Sequence, residues 1–234
     1  MRVVVSMTTV PWRLNLLRPM LESVKSQGGY DRFVINIPRR CARNDESYVI
    51  PEWMEELVEV NQCEDDLGPA MKLLPILQSE TDPETLIVTA DDDVLYGEDW
   101  LLDLKGWADN IRGSALGYVG ASFSDGHFVH GEMVHSPVRV QVLGGYRGVA
   151  YRRRLFEDDV HEAMAELLKG GICLVDDHFF ASYLANKRVS RVVLPCRPNY
   201  RFMNLDGGIY DGNSQAGESN RRLKEAMKRW EWSM

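Results

Sequence analysis

Between Leu86 and Trp100 the chain reads "LIVTADDDVLYGEDW", a run of apolar and β-branched residues that ends in three consecutive aspartates. Carboxylates this close repel one another, so the run calls for a compensating charge. Hard oxygen donors at the end of a strand suit Mg2+ or Mn2+, which keep several waters and share their remaining positions with phosphate oxygens. A divalent cation with a bound diphosphate would therefore answer Asp91, Asp92 and Asp93. The plainer alternative is a solvated run that caps the next helix. Glu98 and Asp99 stand closer to that helix start, and Asp99 suits the N-cap.

A second acidic pair, Asp176 and Asp177, opens the segment "DDHFFASYLANK". Carboxylates at a helix N-terminus stay ionised, which suits a general base that takes a proton from a hydroxyl. The same pair could instead only cap its helix. Lys72 is a point charge able to neutralise a diphosphate, or else an exposed helix lysine. The segment "HFVHGEMVH" brings His127, His130 and His135 together in sequence, but Gly131 interrupts it and no helical face carries two of them. "HEAMAE" at His161 lacks the second histidine of a zinc-protease helix. Phosphate-binding Gly loops and dinucleotide fingerprints are absent, since "GGYRG" has the wrong spacing.

The elements that must carry these residues alternate. "RVVVSM", "RFVINIP", "ELVEVNQ" and "TLIVTA" read as strands, the last buried on both faces. "LNLLRPMLESVKSQ", "GPAMKLLPILQ" and "GEDWLLDLKGWADNI" read as helices between or after them. This alternation predicts an α/β fold with a mostly parallel sheet, and open sheets of that kind bind ligands outside the carboxyl ends of their strands. After Gly113 several short strands with Gly turns are expected beside the parallel sheet. Helices return over "DDVHEAMAELLKGG" and "DDHFFASYLANK", then a strand in "SRVVLP". The polar segment "NYRFMNLDGGIYDGNSQAGESN" reads as a long loop and "NRRLKEAMKRWEW" as a final helix.

The 234 residues are 44% hydrophobic and 26% charged, the balance of a soluble globular protein with a sizeable core. A net charge of -8 argues against a nucleic-acid surface. Cys41, Cys63, Cys173 and Cys196 lie far apart, without zinc spacing, which points to a reducing compartment. No apolar run reaches membrane-span length, and the first residues lack a signal-peptide layout, so a cytoplasmic protein, or one domain of a longer chain, is expected. The basic tail around Leu223, Met227 and Trp230 is either a packed helix or a peripheral membrane contact.

With these motifs in order, the sequence resembles the GT-A-fold glycosyltransferases, in particular the small single-domain members of bacteria and large DNA viruses. "TADDDV" is similar to their DxD element, "SMTTVPWR" to the nucleotide-facing first strand and loop, and "EDDLGPAMKLLP" to the segment near the nucleotide. "GGYRGVAYRR" resembles the acceptor-side glycine segment and "LVDDHFFASYLA" the late acidic motif of inverting members. The resemblance runs from about Arg2 to Pro195.

It implies a single catalytic domain, with residues 1–113 as nucleotide-binding half and 114–234 as acceptor half. The reaction implied is transfer from a nucleotide-diphosphate sugar, by family habit UDP-linked, to a glycan or other hydroxyl acceptor, with Mn2+ or Mg2+. Asp93 would ligate the metal, Asp91 would reach the ribose or the metal's water shell, and Asp92 would support them. Thr8, Thr9 and Arg13 would line the nucleotide pocket, with Asp66 and Lys72 near base, ribose or phosphate. Asp177, or failing it Asp176, would be the base of an inverting displacement, while a retaining course stays open. Gly145, Tyr146 and Tyr210 would face the acceptor. Two departures stand out: the second strand ends "INIPRR" with Asn36 where relatives place an acidic residue, and no histidine follows His178 to reach the metal, leaving water or Asp211 in that position, or a metal held by Asp93 and diphosphate alone. A non-catalytic sugar- or nucleotide-binding module is the alternative of another class. A haloacid-dehalogenase-type phosphatase fits poorly.

Overall fold

The computed structural model describes residues 1–122, 128–169, 176–196 and 200–205. Its first half follows the alternating pattern. Strands β1 (Val3–Thr8), β2 (Arg32–Pro38), β3 (Glu59–Cys63) and β4 (Leu86–Thr89) run parallel, with β1 between β2 and β4. Successive side chains of a strand point to opposite faces. Val3, Val5 and Met7 accordingly enter one core layer and Val4 the other, while Leu86 and Val88 part from Ile87 in the same way. That is why both strands read as unbroken apolar runs.

Prolines punctuate the helices more sharply than the sequence reading allowed. The stretch from Leu14 to Gln27 divides between the end of a 3-10 turn, Pro11–Leu16, and α1 (Arg18–Lys25) with Pro19 in its first turn. Pro19 has no N–H to give to a preceding turn, so the helix begins there instead of running through it. "GPAMKLLPILQ" divides likewise into a 3-10 turn, Gly68–Lys72, and α2 (Leu74–Ser79), with Pro75 at its start. A short strand, β5 (Val94–Tyr96), follows the three aspartates before α3 (Trp100–Asn110).

The second half supplies β6 (Ser114–Gly117), β7 (Val119–Ala121), β8 (Phe128–His130), β9 (Val138–Val140), β10 (Val142–Leu143) and β11 (Val149–Arg152). Helices α4 (Val160–Leu168) and α5 (Asp176–Asn186) follow, then β12 (Ser190–Val193) and β13 (Tyr200–Phe202). These strands do not all lie beside the parallel sheet, as the sequence reading had it. The main sheet has eight strands in the order β3-β2-β1-β4-β11-β6-β12-β9, and β7, β8 and β10 form a separate small sheet. Strand β11 lies antiparallel between β4 and β6, so it completes the hydrogen bonding of the aspartate-bearing strand. Residues 200–202, read as loop, pair with β5.

Helices α1 and α3 pack on one face of the sheet and α2, α4 and α5 on the other, each burying its apolar stripe. Among the described residues no helix is long and apolar enough to cross a membrane. Cys41, Cys63 and Cys196 are free thiols. His127, Cys173, Asp211 and the expected C-terminal helix lie outside the described residues.

Candidate active site

Because β1 and β4 are parallel neighbours, their carboxyl ends meet, and Ala90 donates its N–H to the carbonyl of Ser6. Thr9 and Arg13 on one side therefore face the three aspartates on the other. Thr9 Oγ1 donates to Asp92 Oδ2 at 2.6 Å, and Arg13 Nη1 donates to Asp92 Oδ1 at 2.6 Å while lying 3.4 Å from Asp93 Oδ2. Arg13 is buried. Burial pushes the Asp92 carboxyl up, and the Arg13 guanidinium and Thr9 hydroxyl pull it back. Asp92 thus anchors the turn, with both oxygens answered inside the protein.

Asp91 is turned towards Lys72. The Lys72 Nζ lies 2.8 Å from Asp91 Oδ1 and 3.2 Å from Asp176 Oδ2. Lys72 is buried, which removes the exposed-lysine alternative. Burial alone would lower its pKa, but the carboxylates of Asp176, Asp91 and Asp177 outweigh that and hold it well above the usual lysine value. Asp93 is the outward member, with a third of its side chain exposed. Burial, then the charges of Asp92 and Asp91, raise it to about 6.

The late acidic pair reaches the same place from the N-terminus of α5. Asp176 is buried against Lys72, and its carboxyl is pushed up by that burial. Asp177 accepts the backbone N–H of Gly145 at 3.1 Å on each of its oxygens. Burial and the neighbouring Asp176 raise Asp177 to about 7. A Cβ on Gly145 would stand 2.7 Å from Lys72 Nζ and 2.8 Å from Asp177 Oδ1, so a methyl group there would push these two side-chain ends aside.

That turn, Gly145–Arg147, is itself tied down. Trp100 Nε1 donates to the carbonyl of Arg147 at 2.9 Å. Gly148 has φ +86 and lies flat against the Trp100 ring, where a Cβ would meet it at 2.6 Å. Trp100 packs against Tyr96, the rings tilted by 31° with centroids 4.1 Å apart, and the Tyr96 hydroxyl accepts the N–H of Asp91 at 2.8 Å. Tyr96, Trp100 and Arg147 were not singled out in the sequence. A buried arginine framed by glycines in "GGYRG" was the available signal, and β5 was too short to announce itself.

The remaining candidates are spread around this centre. Thr8 Oγ1 donates to the carbonyl of Asn36 at 2.8 Å. Asn36 is fully buried, and its amide is engaged by Ser6, the Met7 carbonyl and Asn61, so it is structural. Asp66 accepts the N–H groups of Ala42 and Gly68, which joins the loop after β2 to the 3-10 turn carrying Lys72. Tyr146 packs on Phe202, with ring centroids 5.6 Å apart. Tyr210 lies outside the described residues. Asp99 occupies the N-cap position of α3 but its side chain makes no capping bond there, contrary to the capping role that its position suggested.

Among the described residues no three His, Cys, Asp or Glu side chains converge into a metal cage. With Asp92 engaged by Thr9 and Arg13, Asp93 is the most exposed of the three, and Asp91, paired to Lys72 through one oxygen, stays partly exposed. One or two carboxylates are how Mg2+ is held when substrate phosphates and water complete its shell. The crowded charge at Asp93 fits a cation shared with a bound diphosphate.

No protein-family model and no curated protein sequence matches the chain. Solved structures do. Residues 1–349 of Staphylococcus aureus TarS in complex with UDP are 15% identical, with 96% of this chain and 70% of that one covered and a TM-score of 0.55. The same protein in complex with UDP-GlcNAc is 14% identical over 95% of this chain and 65% of that one, with a TM-score of 0.58. The mannosyltransferase PcManGT from Pyrobaculum calidifontis, in complex with GDP-Man and Mn2+, is 16% identical over 97% of this chain and 64% of that one, also with a TM-score of 0.58. The chain has the fold of these nucleotide-sugar-binding proteins, the GT-A fold.

Proposed function

We propose that the protein is a metal-dependent glycosyltransferase that moves a sugar from a nucleotide-diphosphate sugar, UDP-linked, to an acceptor hydroxyl with inversion. The observation that carries this reading is the meeting of two acidic motifs, remote in sequence, on one buried ammonium: Asp91 and Asp176 both pair with Lys72, and Asp177 stands beside them. The ligands of the structurally similar proteins support the donor class, UDP and UDP-GlcNAc in one and GDP-Man with Mn2+ in the other.

A bound Mn2+ or Mg2+, held by Asp93 with Asp91, would supply Lewis-acid stabilisation of the leaving diphosphate. Thr8, Thr9, Arg13 and Asp66 would line the nucleotide side, with Asp92 holding Arg13 in place. Lys72 brings positive charge to the same end of the sheet. Asp177 takes the proton from the acceptor hydroxyl as its oxygen bonds to the anomeric carbon and the bond to the diphosphate oxygen breaks. Asp176, ion-paired to Lys72, is the poorer base. Gly145 and Tyr146 would face the acceptor.

Calorimetric titration with UDP, once with Mn2+ and once with EDTA, tests the reading. Metal-dependent binding is the expected result. Failure of UDP, GDP and dTDP alike in the presence of metal would remove the glycosyltransferase assignment.

A further inference from the structure

A cavity of about 740 Å³ opens on the α3 side of the Gly145–Arg147 turn, bounded by Trp100, Tyr118, His135, Arg147 and Tyr200. Its volume lies within the range of about 300–1,000 Å³ usual for small-molecule sites. It lies apart from the acidic centre, since neither Lys72 nor any of the five aspartates of that centre lines it.

The charges in its wall favour one kind of occupant. The Arg147 guanidinium is buried and answered by both oxygens of Glu132, at 2.5 and 2.6 Å. It also stacks on the Tyr200 ring, 3.8 Å from the centroid. Glu132 thus offsets the charge of Arg147, whose Nε is left without a hydrogen-bond partner among the described residues. Asp99 and Asp103 line the same cavity and are exposed, Asp103 accepting the Tyr118 hydroxyl at 2.6 Å with one of its oxygens. The wall is thus acceptor-rich and net negative. Phosphate or carboxylate groups would be repelled, while hydroxyl groups would find carboxylate acceptors. Trp100, Val134 and Pro195 add apolar and aromatic wall that suits the C–H faces of a sugar ring, beside the polar side chains of His135, Tyr118 and Tyr200.

The cavity is joined to the acidic centre through one turn. Gly145 holds Asp177 by its N–H, and Arg147, two residues on, forms the cavity wall. We infer that this cavity is an acceptor subsite for an uncharged, hydroxyl-rich glycan, and that it disfavours acceptors carrying phosphate. This rests on the glycosyltransferase reading for the word acceptor, but the binding itself does not.

The test is saturation-transfer NMR on the full chain with cellotriose, maltotriose and chitotriose, with glycerol phosphate and a lysine ester as charged probes. The variant is the pair Asp99→Asn with Asp103→Asn, two surface changes in which the new amide at 103 still accepts the Tyr118 hydroxyl. Transfer to at least one neutral trisaccharide, weakened about tenfold or more in the double variant, is expected. Absence of transfer to all three, equal transfer in the variant, or preference for either charged probe would overturn the inference. The UDP titration with Mn2+ is run on both proteins. Saccharide binding without UDP binding would keep the subsite and remove the transferase; the reverse would keep the transferase and remove the subsite.

Discussion

Gly145 donates its backbone N–H to both carboxylate oxygens of Asp177, at 3.1 Å each. A methyl group on the same residue would crowd the ends of Lys72 and Asp177. Gly145→Ala should therefore displace Asp177, the proposed base, and a misplacement of about 1 Å costs about 10²-fold in rate. The expected outcome is a loss of about that size in kcat, with the circular dichroism spectrum unchanged. A kcat within twofold of the parent would show that the turn does not hold the carboxylate.

As the proposed base, Asp177 must be ionised to accept a proton. With its carboxyl raised to about 7 by burial and by Asp176, the free enzyme is half ionised near neutrality. The acid limb of kcat/KM should rise about tenfold per pH unit below that value and level off above it. A profile flat from pH 5.5 to 8 would exclude Asp177 as the base.

The same shift has a sign for stability. A carboxyl whose folded pKa is raised binds its proton more tightly in the folded protein, so its contribution is greatest at low pH. That contribution is lost as pH climbs from the unfolded value, about 4, through the folded value of about 7. Asp177→Asn keeps an acceptor for the Gly145 N–H and cannot ionise. The metal-free variant should melt a few degrees above the parent at pH 8, the gap closing towards pH 4, while transfer is abolished and UDP binding is retained. Differential scanning calorimetry across that range checks it; a variant less stable at pH 8 contradicts the charge argument.

Lys72→Met removes the ammonium between Asp91 and Asp176 and leaves buried carboxylates without a counter-charge. Breaking a buried pair in this way costs about 3–5 kcal/mol. Urea unfolding should report a loss of that order at pH 8. A change within about 0.5 kcal/mol, as at an ordinary surface site, would contradict the buried pairing.

Asp92 and Asp93 adjoin in sequence and should respond differently. Asp93→Asn should abolish Mn2+-dependent UDP binding with little change in unfolding midpoint. Asp92→Asn weakens the pair with buried Arg13 and should lower the midpoint as well. Calorimetry and urea unfolding on both variants separate the roles, and identical behaviour would count against the division of labour.

Much of the architecture was legible because β1, β2 and β4 are short apolar runs that only a two-sided burial explains, and because amphipathic helices separate them. Pro19 was visible too, but periodicity outweighed it in the reading of that helix, and in "GPAMKLLPILQ" Pro69 was read as the first-turn proline where Pro75 in fact stands at the helix start. The position of β11 was not legible. Nothing in "VAYR" names its partner strand, and the choice of β4 depends on pairing residues 60 or more positions apart in sequence. At the site, the two acidic clusters stood out as clusters, because carboxylates so crowded need a reason. Their common contact with Lys72 did not, since a lysine in a polar segment reads the same whether exposed or buried. Asp99 shows the converse: it takes the expected N-cap position and makes no capping bond.

The place of β11 between β4 and β6 also orders events during folding. Until the chain has been made as far as Arg152, the strand that carries the aspartates has an open hydrogen-bonding edge. Pairings this far apart in sequence are slow to form, because loop closure must come first. An exposed apolar edge is meanwhile a template for other chains. A fragment ending at residue 113 would keep the three aspartates and the Asp92–Arg13 contact but leave that edge bare. The aspartate-bearing strand is thus made some 60 residues before the partner that covers its second edge, which leaves an apolar template open beside the proposed site of chemistry.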